Sequence, residues 1–147
     1  MEKIVKPVVD GYITHDFYEH RPYKKTGIHG GYDIGCKKHP CYVRVICDSE
    51  VVTAGWSDTF GFRVWTRPTD KELREKYPYI VYAHLEKILT NLPRTLQAGT
   101  IIGIMGNTGK SKGVHLHIEA REDIKAAETC INITEIPELY GYNNLKA

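Results

Sequence analysis

The chain of 147 residues lacks several things, and each absence closes off a class of answer. It has no apolar run of the length that crosses a bilayer, and its opening stretch, MEKIVKPVVDGYITHDF, has none of signal-peptide length, so stable membrane insertion is not expected. It has no internal repeat and no low-complexity linker, which argues against solenoids and tethered arrays. It has little charge imbalance: 20 basic and 18 acidic residues are spread along the chain, with no basic stripe of the kind that nucleic acid requires. The surplus of +2 suits contact with an anionic polymer and equally suits simple solubility. Its four cysteines, Cys36, Cys41, Cys47 and Cys130, are too few for a disulfide scaffold at this length. The CKKHPC spacing is C-x4-C rather than C-x2-C, which argues against a structural zinc knuckle and for buried free thiols. Whether Cys36 and Cys41 pair is not legible from spacing.

What the chain does have is strand-forming sequence. CYVRVIC (41–47), EVVTAG (50–55), FGFRVWT (60–66), YIVYAHL (79–85), TIIGIMG (100–106) and VHLHIEA (114–120) are short and rich in β-branched or aromatic residues. Each is bounded by turn formers. The expected fold is mainly β: a single compact domain of antiparallel sheet over residues 1–147, with a core from about 9 to 121 and a less regular extension, 122–147, packed along its edge. Short helical turns are expected in the connections. PTDKELREKYP (68–78) carries Thr69 and Asp70 as possible caps and a proline at 78, so it reads either as one or two helical turns or as a solvated loop. LEKILTNLPRTL (85–96) offers a second short turn, stopped by Pro93.

The chemistry sits on histidines. In GVHLHIEAR (113–121), strict alternation puts Val114, Leu116 and Ile118 on one side of a strand and His115, His117 and Glu119 on the other. In GIHGGYDIG (27–35), His29 and Asp33 stand four apart, and the intervening glycines disfavour a helix, so an extended segment places both on one face. A catalytic zinc takes about three N or O ligands and keeps a position open. His29 and Asp33 supply two, and one histidine of the 115/117 pair supplies the third, leaving the other for proton transfer. His84, in YAHLEKI (82–88), reads by itself as a core histidine and, beside a metal, as a general base or oxyanion stabiliser.

GIHGGYDIG, YAHLEKI and LQAGTIIGIMGNTGKSKGVHLHIE, in this order, resemble the lysostaphin-type (LytM-type) zinc metalloendopeptidases of peptidoglycan, over about Val9 to Arg121. The resemblance implies a metal-bearing groove with one Zn²⁺ per chain, held by His29, Asp33 and His117. It implies that His115 acts on the reacting water and that His84 positions water or stabilises the tetrahedral intermediate. Tyr23, by its spacing before His29, matches a tyrosine near the oxyanion, with Tyr12 and Tyr18 as alternatives at that level. Glu119 reads as an acceptor that orients a ligand, or as a structural carboxylate. The implied substrate is a peptidoglycan peptide, and the chain is expected to act as a monomer at the bacterial cell wall. With no leader in view, the chain is expected to be cytoplasmic until release, as a phage or prophage endolysin, or to be excised from a longer protein. Two departures bear on substrate preference: RPTDKELREKYP exceeds the family's tight turn and is expected to reshape one groove wall, and Val114 replaces a frequent proline. The competing readings are a non-catalytic wall-binding or regulatory relative, and a biotinyl or lipoyl carrier suggested by LQAGTIIGIMG. The carrier reading leaves the histidines unexplained and places Lys110 in the wrong setting.

Overall fold

The computed structural model describes residues 4–15, 30–89 and 91–133. His29 and Tyr23, with Tyr18 and His20, lie outside the described residues, as does the tail from residue 134. The strands are β1 (Gly11–His15), β2 (Tyr32–Cys36), β3 (Tyr42–Arg44), β4 (Ser49–Ser57), β5 (Gly61–Pro68), β6 (Tyr79–Ile88), β7 (Thr95–Leu96), β8 (Ile101–Met105), β9 (Leu116–Arg121) and β10 (Cys130–Ile131), with one helix, α1 (Lys71–Lys76). They form one antiparallel sheet in the order β1-β2-β9-β6-β5-β4-β7, with β10 on β9, and β8 joining β6 to β3. The mainly β antiparallel fold expected from the sequence is what the structure shows. The six expected strands are present as β3, β4, β5, β6, β8 and β9, though 41–47 keeps only three strand residues. There the backbone of Val45 and Ile46 bonds to Thr100, Gly99 and Val5 instead of a ladder.

Alternation separates two faces. Ile34 of β2, Ile80 and Tyr82 of β6, and Leu116, Ile118 and Ala120 of β9 are sealed into the main core, where burying each large side chain contributes about 1.5–3 kcal/mol. Asp33, Ala83, His117 and Glu119 point the other way, over a smaller apolar floor of Trp65, Val81 and Ala83. Val114 does not join the core side of its strand: β9 begins at Leu116, and Val114 is 47 % exposed.

The 68–78 segment resolves to a helix, because Asp70 accepts the Leu73 N–H and caps it. Its position corrects the expectation of an altered groove wall. The helix joins the Pro68 end of β5 to the Tyr79 end of β6, whereas His84 is at the other end of that pair. Four strand residues, about 13 Å, separate Tyr79 from Ala83 at the site. The stretch 85–96 holds no helical turn among the described residues; β6 runs on to Ile88. The free-thiol reading is corrected for one pair: Cys36 and Cys41 are joined by a disulfide, while the buried Cys47 and the half-buried Cys130 are thiols outside it.

Candidate active site

The site forms where β6 changes partners. As far as Ala83, β6 pairs with β9, Ala83 standing opposite His117; from Leu85 onward it pairs with β8. Between the two ladders His84 takes a left-handed backbone, φ 62°, and gives its N–H to Phe60 O at 2.7 Å. Against β5 this is an extra residue on β6, a bulge that turns the imidazole out of the sheet.

On β2, Asp33 pairs in register with His117. Gly31 is what lets the two strands close here: a Cβ on it would come 2.4 Å from Ile118 O and 2.8 Å from the His117 ring. The His117 imidazole is buried between two carboxylates, with Nδ1 2.7 Å from Asp33 Oδ1 and Nε2 2.8 Å from Glu119 Oε1. Glu119 in turn accepts from Arg121 Nε, and the Arg121 guanidinium lies over the rings of Phe60 (5.3 Å) and Trp65 (5.4 Å). Phe60 also stacks on His117, centroids 5.8 Å apart at 23°.

These contacts set the charges. Burial alone would push the His117 imidazole down, but the hydrogen bonds and charges of Asp33 and Glu119 outweigh it and raise its pKa to about 9. Glu119 would be raised by burial, yet His117 and Arg121 hold it below the usual carboxylate range. His84 is driven the other way, to about 4, first by burial and then by the neighbouring His117 and His115, against the pull of the Thr108 carbonyl and Asp33. It is therefore neutral at neutral pH.

Tautomers follow from the acceptors. His84 Nδ1 is 2.7 Å from the Thr108 carbonyl, and His115 Nδ1 is 2.7 Å from the Gly113 carbonyl. A carbonyl only accepts, so each Nδ1 carries a hydrogen, and a ring with one N–H then keeps its lone pair on Nε2. The two rings are 5.0 Å apart, and His115 Nε2 is 3.7 Å from Asp33 Oδ1. With a side chain 17 % exposed, His115 is the member that solvent reaches more readily than Asp33 or His117.

The donor chemistry fits a cation. If Nε2–H of His117 is given to Glu119, the Nδ1 lone pair faces a carboxylate oxygen at 2.7 Å, an arrangement that needs a proton or a metal ion between them. Among the described residues, the buried carboxylates Asp33 and Glu119 face the cation Arg121 and the His117 imidazole, a setting that favours positive charge at His117. One nitrogen and one oxygen donor, with His29 four residues before Asp33 in the chain, match the preferences of zinc.

The structure thus brings Asp33, His84, His115 and His117 together. Sequence reasoning did not find Arg121 or Phe60. Arg121 continues the alternation of 115, 117 and 119 and could have been found that way; Phe60, on the turn before β5, gave no signal. Tyr12 lies against Gly35, where a Cβ would come 2.9 Å from its ring, so it is on the Asp33 side of β2. Lys110 is in no exposed carrier hairpin: its N–H bonds Thr59 O, and Gly109 packs on Gly61.

Residues 27–129 match Peptidase family M23. The chain is similar to the glycyl-glycine endopeptidase ALE-1 of Staphylococcus capitis, 31% identical over 105 residues, which is 69% of this chain and 28% of that protein. The chain thus spans little more than a quarter of that relative. Among solved structures, the catalytic domain of the antimicrobial peptidase lysostaphin from Staphylococcus simulans superposes with a TM-score of 0.70 at 25% identity, over 87% of this chain and 91% of that one. A zinc-containing peptidase from Vibrio cholerae gives 0.65 at 25% identity, over 80% and 36%.

Proposed function

From the premise that this chain belongs to peptidase family M23, a family of zinc metalloendopeptidases, we propose that it is a zinc-dependent endopeptidase hydrolysing peptide bonds in bacterial peptidoglycan. The observation that carries this reading is the orientation of His117 by Glu119, which aims Nδ1 at Asp33 beside two imidazoles with free Nε2 atoms. Asp33 and His117, with His29, would hold the zinc. When bound, zinc supplies Lewis acidity that polarises a peptide carbonyl and acidifies water.

The protein's own groups do the rest. His115, anchored by Gly113 and open to solvent, takes the proton of the attacking water on Nε2 and returns one to the leaving amine. His84, neutral and pinned by Thr108, accepts from the water O–H and orients it. A donor role for His84 toward an oxyanion needs a proton it does not carry at neutral pH. Water orientation is therefore the role its geometry supports. Phe60 and Trp65 wall the buried side of the cluster, keeping Glu119 and Arg121 dry so that their pairing fixes His117.

The test is the release of new amino groups from purified peptidoglycans of several wall types, by wild type and His115→Ala at equal bound zinc. Release by wild type alone supports the peptidase, and the responding wall names the bond. No release from any wall by the zinc-loaded protein overturns it in favour of a non-catalytic wall-binding or regulatory module.

A further inference from the structure

A recess of about 580 Å³ opens beside the two histidines, between β6, the end of β8 and the segment joining β2 to β3. It adjoins the reacting groups through two of its lining residues. Thr108 holds His84 by its carbonyl, and Gly106 bridges to His115. Its walls are mostly apolar, from Ile104, Met105, Val114 and Pro40, and Glu86 supplies the one carboxylate. The exposure of Val114 leaves apolar surface open to water at this point.

The fold puts Glu86 there. Where β6 takes up β8, the register advances two residues on β6, from Leu85 to Lys87, for one on β8, from Met105 to Ile104. Glu86 is the extra residue of this bulge, released from the ladder and exposed. Gly106 presses on its backbone: a Cβ at 106 would come 2.3 Å from Glu86 N and 2.8 Å from its Cβ, and Glu86 lines the same recess as residues 106–108. No ion pair among the described residues engages Glu86. His39 and the disulfide-closed segment that carries it form the remaining wall.

Apolar walls that end in a single carboxylate complement a side chain with a hydrocarbon stem and a cationic tip. We propose that this recess is a subsite for an alkylammonium side chain, of the lysine type, on the substrate peptide. The methylenes lie along Ile104, Met105 and Val114, and the ammonium meets Glu86. The assignment rests on the peptidase reading for its substrate, but the cation site itself can be measured without turnover.

The experiment titrates zinc-loaded protein, wild type and Glu86→Gln, with Nα-acetyl-lysine amide and with Nα,Nε-diacetyl-lysine amide, following backbone amide shifts by NMR. The second probe keeps the stem and removes the charge. Wild type is expected to shift at residues 86, 104–106 and 114 and to prefer the charged probe about fivefold, a preference that disappears in Glu86→Gln. Equal affinity of wild type for both probes, no binding of either, or a preference that survives in Glu86→Gln overturns the subsite. Wall cleavage without this preference overturns the subsite and leaves the peptidase standing; the preference without cleavage of any wall overturns the peptidase and leaves the cation site.

Discussion

Glu119 takes the Nε2 hydrogen of His117 at 2.8 Å, and this bond decides which nitrogen the imidazole shows to Asp33. Glu119 is itself fixed by the buried Arg121, so the orientation of His117, a proposed metal ligand, depends on an ion pair one step further out. A residue placed in this way would act on a bound metal without touching it.

Glu119→Gln is therefore expected to weaken zinc binding by about 10- to 100-fold, read by competition against a chelator. It also leaves the Arg121 guanidinium buried without its counter-charge, so stability falls by about 3 kcal/mol. Replacing both residues with apolar ones of similar volume should recover stability and leave zinc affinity low. Recovery of both together would mean that Glu119 serves packing alone.

The pH dependence of stability separates a proton from a metal at His117. Its pKa is raised in the folded protein, so the stability it contributes is complete below about 6.5 and is lost as pH rises toward about 9. His84 works oppositely: its pKa is depressed to about 4, so its contribution is complete above about 6.5 and lost as pH falls toward 4. Glu119, also depressed, adds to the acid-side loss. Chelator-treated protein should then be most stable near pH 6.5. If one equivalent of zinc is held by His117 and Asp33, it would stand in for that proton, and the difference in melting temperature between loaded and stripped protein should widen from pH 6.5 to 9. A difference that stays flat over this range would remove His117 from the metal site.

Much of this arrangement was legible in the sequence because it depends on period two. Leu116, Ile118 and Ala120 are buried on one face, and His117 and Glu119 lie on the other, as alternation requires. The resemblance named Asp33, His84, His115 and His117 from local motifs, each set on or beside a strand that its own residues specify. What stayed hidden depends on distance in the chain. Nothing in 59–61 says that Phe60 will stack on a histidine 57 positions later, and the C-x4-C spacing does not say whether its sulfurs pair. For 68–78 composition left helical turns and a solvated loop both open, and the Asp70 cap decides for the helix; its place relative to the groove follows from which end of the β5–β6 pair it joins, which only the register reveals.

Gly31 tests how closely β2 and β9 must approach. A methyl group there meets the Ile118 carbonyl and the His117 ring, neither of which can move without breaking the Asp33–His117–Glu119 alignment. Gly31→Ala is expected to cost about 1–3 kcal/mol through overpacking and to lower kcat/KM by about 100-fold, since displacements near 1 Å have that effect on positioned groups. Wild-type activity in this variant would mean that β2 and β9 separate freely, and the close registry of Asp33 with His117 would lose its functional meaning.

His84 gives the sharpest test of a strained residue kept for chemistry. Its left-handed backbone costs a non-glycine residue about 1–2 kcal/mol, and the hydrogen bond to Thr108 returns about 1 kcal/mol. His84→Gly removes both terms and should melt within a few degrees of wild type, whereas His84→Ala keeps the strain, loses the bond, and should melt lower than the glycine variant. This order reverses the usual one, because glycine in a strand is ordinarily the weaker choice. Both variants should retain zinc and lose about 10²- to 10³-fold in kcat, measured on the wall that wild type cleaves. Combining either with His115→Ala should cost little more than the worse single change, since the two rings are 5.0 Å apart and are proposed to act on the same water. If alanine melts above glycine, the bulge is no burden on the backbone. If the double variant loses the product of the single effects, the two histidines act on separate steps.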